Sequence, residues 1–338
     1  MSETRAVVYG VGARGGMMAR MMLDRGIRIV GAIGQSKERE GRDLGDVIGL
    51  GRKLGVPVHC DARAVLAEAR ADIAVVATTM YLDDHIEQLR TCIRAGTNVV
   101  TISEEAFYPW LIEPALSQEL DDEAKAHGVT VTGTGNQDLL FLGLSHLASS
   151  AGHRVSGIRG SQVWDIARAG GEGLRILGVG RSRSEVEAEL AGQAQRRPSP
   201  ALPALHAIAA RHGLTVTGAT NEVVLVEPDE PVWCPSLDTS IGPGQVCGRT
   251  DRDRVFTAEG VELSFDMEGR ILAPGTDSSV GWRIEGEPDI AISVRSSAGG
   301  MLTASQAVRR IPTVIAAEPG LRTVDMLPVP QFEVLRDR

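Results

Sequence analysis

Cysteine is scarce in this sequence, and what there is has no pattern. Cys60, Cys92, Cys234 and Cys247 are scattered without a CxxC pair, so neither a structural zinc site nor a disulfide framework is encoded, and a reducing compartment is expected. Long apolar runs are missing too: none approaches the roughly 18 residues that a membrane span needs. The opening MSETRAVVYG has none of the regions of an export signal, and a soluble cytoplasmic protein is expected. The formal charge is −9 and no block of Lys and Arg is interleaved with aromatics, so the electrostatic footprint for nucleic acid is absent. His59, His85, His127, His146, His153, His206 and His212 form no HExxH or equivalent ligand spacing, and no GxSxG elbow occurs. Metal-assisted and serine-nucleophile chemistry therefore have no support, and no metal is expected.

Ordinary globular usage is what remains, with 43% apolar and 23% charged residues in a chain of 338. That length exceeds one ordinary core and suits two domains. Short Val- and Ile-rich runs alternate with amphipathic stretches from Arg5 to Gly135, the pattern of βαβ units around a buried parallel sheet. Strands are expected at Ala6–Tyr9, Arg28–Ile33, Val56–His59, Ile73–Thr78, Asn98–Ile102 and Thr130–Thr132. Helices are expected at Gly15–Leu23, Ala62–Ala69, Asp83–Ala95 and Trp110–His127, several closed by a glycine. Beyond Gly135 the rhythm changes. A helix over Asp138–Ser149, a strand over Gln162–Ile166, a Pro-rich bend at Arg197–Pro203, a helix near Ala204–His212 and antiparallel segments such as Val255–Phe265 and Ile290–Val294 indicate a different domain. The expected fold is α/β, a Rossmann-type doubly wound parallel sheet over 1–138. An α+β domain with a mostly antiparallel sheet follows over 139–300, and over 301–338 a helix and tail return to the first domain. The second domain is expected to bind substrate and build a homodimer.

In VVYGVGARGGMMARMM, Gly10, Gly12 and Gly15 stand as GxGxxG directly after an apolar strand and at the start of a helix. Gly10 permits the tight turn, Gly12 lets the backbone approach a pyrophosphate, and Gly15 lets helix and strand pack closely. The backbone around Ala13 and Arg14 then offers unpaired N–H groups and a partial positive charge. The stripe Met17, Met18, Met21 and Met22 reads as core packing. The second strand ends without the acid that grips the ribose 2′-hydroxyl of NAD; Ser36, Lys37 and Arg39 follow, with Arg14 in the glycine loop, and these groups suit a 2′-phosphate. NADP, or dual use with NAD, is expected, and a solvated charge cluster is the plainer alternative. Thr78 and Thr79 fall where such folds hold the nicotinamide half.

The segment NVVTISEEAFYPW places Glu104 and Glu105 just past a strand whose carboxyl end faces the ligand cleft. Two adjacent carboxylates beside Phe107, Tyr108 and Trp110 repel and lose solvation, which raises a pKa toward the range useful for proton transfer. The alternative is a pair of helix N-terminal acids preceding Pro109. Asn136 and Gln137, on the loop after the sixth strand, are candidates to orient an amine or carbonyl, or are turn residues. For Arg159, Trp164, Asp165 and Trp233 ordinary packing or exposure is as good an account as a pocket.

Four segments, YGVGARGG, NVVTISEEAFYPW, GTGNQD at 133–138 and RRIPTVIAAEPGLRTVDMLP at 309–328, resemble those of the 2,4-diaminopentanoate dehydrogenase family and the related native amine dehydrogenases. More remotely, the first half with Arg14 in its loop is similar to dihydrodipicolinate reductase. The resemblance is good at both ends of the chain and poor between about 150 and 295. It implies NAD(P)-dependent oxidative deamination of a small amine or diamino acid to a ketone and ammonia, or the reverse. It also implies that a Glu matching Glu104 or Glu105 handles ammonia or water, without deciding which. Reduction of a cyclic imine with NADPH, and a dinucleotide-binding sensor without turnover, are the alternatives.

Overall fold

The computed structural model describes residues 3–167, 170–192, 198–273, 275–296, 299–332 and 334–335. The first half runs β1 (Arg5–Tyr9), α1 (Ala13–Asp24), β2 (Arg28–Ile33), α2 (Leu44–Val47), β3 (Val58–His59), α3 (Ala62–Ala69), β4 (Ile73–Val76), α4 (Ile86–Arg94), β5 (Asn98–Thr101), α5 (Pro109–Ile112), α6 (Pro114–Ala126) and β6 (Thr130–Gly133). A π-helix, Asp138–Gly143, runs into α7 (Leu144–Ser149); then follow β7 (Arg154–Asp165), α8 (Gly170–Ile176), α9 (Arg183–Gly192), α10 (Ala201–Arg211), β8 (Val216–Val226), β9 (Val232–Cys234), β10 (Thr239–Ile241), β11 (Gly248–Thr257), β12 (Glu262–Arg270), β13 (Ser279–Glu287) and β14 (Ile290–Arg295). α11 (Gly299–Ala316) and β15 (Gly320–Leu321) close the chain.

Two compact units result, Met1–Leu139 with Ala298–Arg338, and Leu140–Ser297. In the first, seven strands lie in the order β15-β6-β5-β4-β1-β2-β3, every pair parallel. The order reverses between β1 and β4, which is the switch point where open α/β sheets bind ligands beyond their carboxyl ends. β-Branched runs such as Ile73–Val76 are buried throughout because helices cover both faces. Ala6 and Val8 pack with α1 and α11, whereas Val7 and Tyr9 join the core formed with α3, α4 and α6. Met18 and Met22 are fully buried against the first of these cores and Met17 and Met21 lie at its margin, so the methionine stripe is packing; each fully buried one contributes about 1.5 to 3 kcal/mol.

Several elements differ from their sequence expectation for local reasons. The expected helix 110–127 breaks at Glu113, held extended (φ −137°) by Pro114, which starts α6. The third strand shrinks to Val58–His59; just before it, Val56 and Pro57 pair instead with Leu44 and Asp43. A seventh strand, β15, adds itself to the edge at β6. Val255–Phe265, expected as antiparallel strand with turns, spans the hairpin in which β11 turns into β12. Arg197, at the start of the expected Pro-rich bend, lies outside the described residues.

In the second unit six strands lie in the order β14-β13-β7-β12-β11-β8, with β7–β12 the parallel pair and the others antiparallel. Its aromatic core stacks Phe141 on Phe265 (4.5 Å between centroids) and Phe265 on Trp282 (5.2 Å). Trp282 Nε1 donates to the Leu140 carbonyl at 2.7 Å, which satisfies the indole inside the core. Arg159 is half-exposed and bridges Glu262 (3.0 Å) and Glu285 (2.7 Å), an exposed pairing of small energetic worth.

Candidate active site at the carboxyl edge of the parallel sheet

Gly10 leaves β1 with φ +101°, and a Cβ there would fall 2.4 Å from the Ala77 carbonyl. At Gly15 a Cβ would fall 1.7 Å from the Gly10 carbonyl, so the loop closes only with glycine at both places. Gly12 is different: nothing lies within 4 Å of its Cβ position. It caps α1 without a side-chain hydrogen bond, and the first turn of that helix holds no acid. Open space in front of an uncapped helix start is what a dinucleotide pyrophosphate requires, so the loop fits that group. Ser36 opens a 3-10 turn over Lys37–Arg39 at the end of β2, and Arg39 Nη1 donates to the Val11 carbonyl at 2.9 Å. That bond ties the cationic turn to the glycine loop. Arg14 does not face this turn. Its guanidinium lies against Gly300 in the first turn of α11, on the β4 side of β1.

β4 ends at Val76, so Thr78, expected inside the strand, lies with Thr79 just beyond it, and both hydroxyls are engaged: Thr78 donates to Gln88 Oε1 (2.6 Å) and Thr79 to Asp84 Oδ2 (3.3 Å). The two glutamates, adjacent in sequence, diverge in space. Beyond β5 the chain turns into a short 3-10 helix, Glu105–Phe107, that seats its backbone on Gly133 of β6. Glu105 is buried and accepts from the Leu82 amide at 2.8 Å, while its own amide donates to the Met80 carbonyl at 3.3 Å. Ser103 Oγ donates to that same carbonyl at 2.7 Å. His85 completes this support: Nδ1 meets the Tyr81 carbonyl (2.6 Å) and Nε2 the Thr101 hydroxyl (3.4 Å), and burial pushes its pKa down despite the nearby acids, which keeps the ring neutral. Glu104 has no such partner among the described residues. Its carboxyl sits low among protein atoms while keeping some surface, and loss of solvation, then the charge of Glu105, pushes its pKa above the ordinary 4.5.

The loop after β6 is anchored from below. Asp138 accepts from the Thr134 hydroxyl (2.9 Å) and is gripped by Arg310 of α11 through Nε (2.5 Å) and Nη2 (2.6 Å), a buried bidentate pair. Arg310 Nη1 reaches on to the Pro328 carbonyl at 2.5 Å. Asn136 and Gln137, expected on a loop, instead open the helical run that continues into the π-helix; their amides have no protein hydrogen-bond partner among the described residues, although Gln137 is only 8% exposed. Tyr108 lies near Asp325, and burial followed by that charge pushes the phenol's pKa up.

Residues 233–336 match the 2,4-diaminopentanoate dehydrogenase C-terminal domain family. Over 343 residues the chain is 28% identical to 2,4-diaminopentanoate dehydrogenase of Acetoanaerobium sticklandii, spanning 98% of this chain and 95% of that protein. The structure of an amine dehydrogenase from Mycobacterium smegmatis is 43% identical, with a TM-score of 0.88 over 98% of each chain. The chain belongs to this amine dehydrogenase family. It is an oxidoreductase, which sets aside the sensor without turnover. More distant likenesses, such as Synechocystis biliverdin reductase (14% identical, TM-score 0.57, 96% and 95% covered), show a shared fold alone.

Asp138, Arg310, Ser103 and His85 were not singled out in the sequence. A sign of the first two was present: Arg309 and Arg310 are adjacent in an otherwise apolar-faced helix, and on such a helix one of two neighbouring arginines turns inward. Among the described residues no three His, Cys, Asp or Glu side chains group as metal ligands, and no helix is long and apolar enough to cross a membrane.

Proposed function

We propose that this chain is an NADP(H)-using amine dehydrogenase that interconverts a small amine or diamino acid, of the 2,4-diaminopentanoate kind, with its ketone and ammonia, and that Glu104 is its proton-transfer group. The observation that carries this is the divergence of the two glutamates: Glu105 is spent holding the loop at Met80–Leu82, and Glu104, with its pKa raised, has no side-chain partner among the described residues where β5 ends. Gly10, Gly12, Ala13 and Gly15 hold the pyrophosphate, Ser36, Lys37 and Arg39 the 2′-phosphate, and the backbone around Thr78 and Thr79 the nicotinamide half. A dinucleotide held there would supply the hydride acceptor for the carbon that bears nitrogen. In deamination, Glu104 as carboxylate takes a proton from the water that attacks this carbon and passes it to the departing ammonia. A protonated amine, water and oxidised cofactor thus give ketone, ammonium, reduced cofactor and one proton. In the reverse direction, the same carboxyl takes a proton from ammonium and delivers it to the carbinolamine oxygen. Asn136 and Gln137 offer amide donors and acceptors to orient the substrate.

The test is NADPH consumption with short ketones, with and without ammonium, by wild type and by Glu104→Gln and Glu105→Gln. Ketone-and-ammonium-dependent turnover that falls by a factor of about 100 or more in Glu104→Gln, with NADPH affinity intact, is the expected result. Glu105→Gln should cost less in turnover and more in thermal stability. A fully active Glu104→Gln refutes the assignment, and consumption of NADPH with a cyclic imine only refutes the reaction.

A further inference from the structure

β2 itself ends without an acid, yet the turn beyond it carries Glu38 and Glu40. Glu40 closes the 3-10 turn over Lys37–Arg39. This turn lies across the carboxyl ends of β2 and β3, because the Gly34 amide donates to the His59 carbonyl (3.0 Å) and the Gly41 amide to the Val58 carbonyl (2.8 Å). A carboxylate at such a place bonds the ribose 2′-hydroxyl of NAD and repels the 2′-phosphate of NADP. Glu40 is held away from both tasks. His59 Nδ1 donates to its Oε1 at 2.8 Å, and the Cys60 amide donates to its Oε2 at 2.7 Å. Two adjacent residues at the end of β3 thus occupy both oxygens of one carboxylate. The nearby Cys60 thiol, then the His59 ring and the Cys60 amide, hold the Glu40 carboxyl down at about 2, so the group is an anion throughout the neutral range. Lys37 lies close enough to the Cys60 thiol for its charge to act there, so the anchored acid stands beside a cation assigned above to the 2′-phosphate. Arg39, from the same turn, is tied to the Val11 carbonyl instead. One short turn therefore sorts its charges, with a cation fastened to the glycine loop and an acid fastened to β3.

We propose that His59 and the backbone of Cys60 are positioning residues for cofactor choice: they hold Glu40 against the end of β3, away from the ribose, and so leave the turn open to a 2′-phosphate. The inference rests on the NADP part of the reading above. The His59 and Glu40 side chains are 44% and 45% exposed. A single pair so exposed is a weak restraint, and it is the seating of both oxygens on neighbouring residues that fixes the side chain. Once released, Glu40 would bring a full negative charge within about 10 Å of a doubly charged phosphate, a repulsion worth about a three- to tenfold loss of affinity in water-like surroundings. NADH lacks that phosphate and gains an acceptor for its 2′-hydroxyl.

The test is fluorescence titration with NADPH and with NADH at low salt, which needs no turnover. His59→Phe, which keeps a ring and loses the donor, should weaken NADPH about three- to tenfold and leave NADH unchanged or tighter. His59→Asn, which returns a donor, should restore most of the wild-type ratio of the two affinities. Glu40→Gln should bind both cofactors much as wild type does, and His59→Phe combined with Glu40→Gln should regain the wild-type ratio, since no acid is left to release. Combining His59→Phe with Glu38→Gln should not. Equal weakening of both cofactors by His59→Phe marks a bond that supports the turn without choosing the cofactor, and overturns the proposal; so does a ratio that stays put, or rescue by Glu38→Gln. A Glu40→Gln variant that binds NADPH severalfold more tightly than wild type overturns it too, because the carboxylate would then already face the phosphate. The wild-type ratio alone judges the NADP reading, whereas the change of ratio on His59→Phe judges the positioning.

Discussion

Replacing Arg310 with methionine is a sharp test of how the loop after β6 is held. Arg310 and Asp138 are almost wholly buried, and the carboxylate's only other side-chain partner among the described residues is the Thr134 hydroxyl. Removing the guanidinium leaves a buried charge without its counterion, a loss of about 3 to 5 kcal/mol, and strips the Pro328 carbonyl of a donor, which adds about 1 kcal/mol. In a unit of this size each kcal/mol shifts Tm by roughly 2 to 4 °C, so a drop of about 8 to 24 °C is expected by calorimetry. Hydrogen exchange should place the loss in Thr134–Asp138 and α11. Pairing the change with Asp138→Asn removes the uncompensated charge and should recover most of the loss, a favourable coupling of at least 1 kcal/mol in a double-mutant cycle. A loss under about 1 kcal/mol for Arg310→Met, or strict additivity in the double variant, would refute the claim that this pair anchors the loop.

Further outcomes follow from the same contacts. Because Glu104 holds its proton more tightly in the folded chain, its ionisation destabilises the fold as pH rises from the ordinary carboxylate range through its raised value, and the cost persists above that. Glu104→Gln should therefore raise Tm at neutral pH and leave it unchanged in acid, while wild-type deamination rises with pH as Glu104 ionises; an unchanged melting profile at neutral pH would count against the raised pKa. Lys37→Ala should weaken NADPH by about tenfold and NADH hardly at all. Arg39→Ala should weaken both in the same titration, since it also supports the glycine loop at Val11. Trp282→Phe removes the indole donor to the Leu140 carbonyl in the core of the second unit and should cost about 0.5 to 1.5 kcal/mol in denaturant unfolding.

Much of this was legible in the residue order. Buried parallel strands announce themselves as short β-branched runs because both faces are covered, and the turn at Gly10–Gly15 needs glycine for reasons local to a few residues. The parallel sheet, the dinucleotide loop and the presence of a paired carboxylate all rest on such short-range constraints. Element ends were less so: β15 is only Gly320–Leu321, too short for any period to show.

What one residue of separation between Glu104 and Glu105 means was decided by tertiary structure alone. The amide that engages Glu105 lies 23 residues away at Leu82, the arginine that grips Asp138 lies 172 away, and the direction of Arg14 depends on where α11 returns to the sheet. The sequence by itself determined which backbone turns and buried strands this chain can make, because those follow from the steric and solvation needs of neighbouring residues. Which of two chemically identical carboxylates stays free depends instead on donors brought in from distant segments, and their placement exists only once the core has packed.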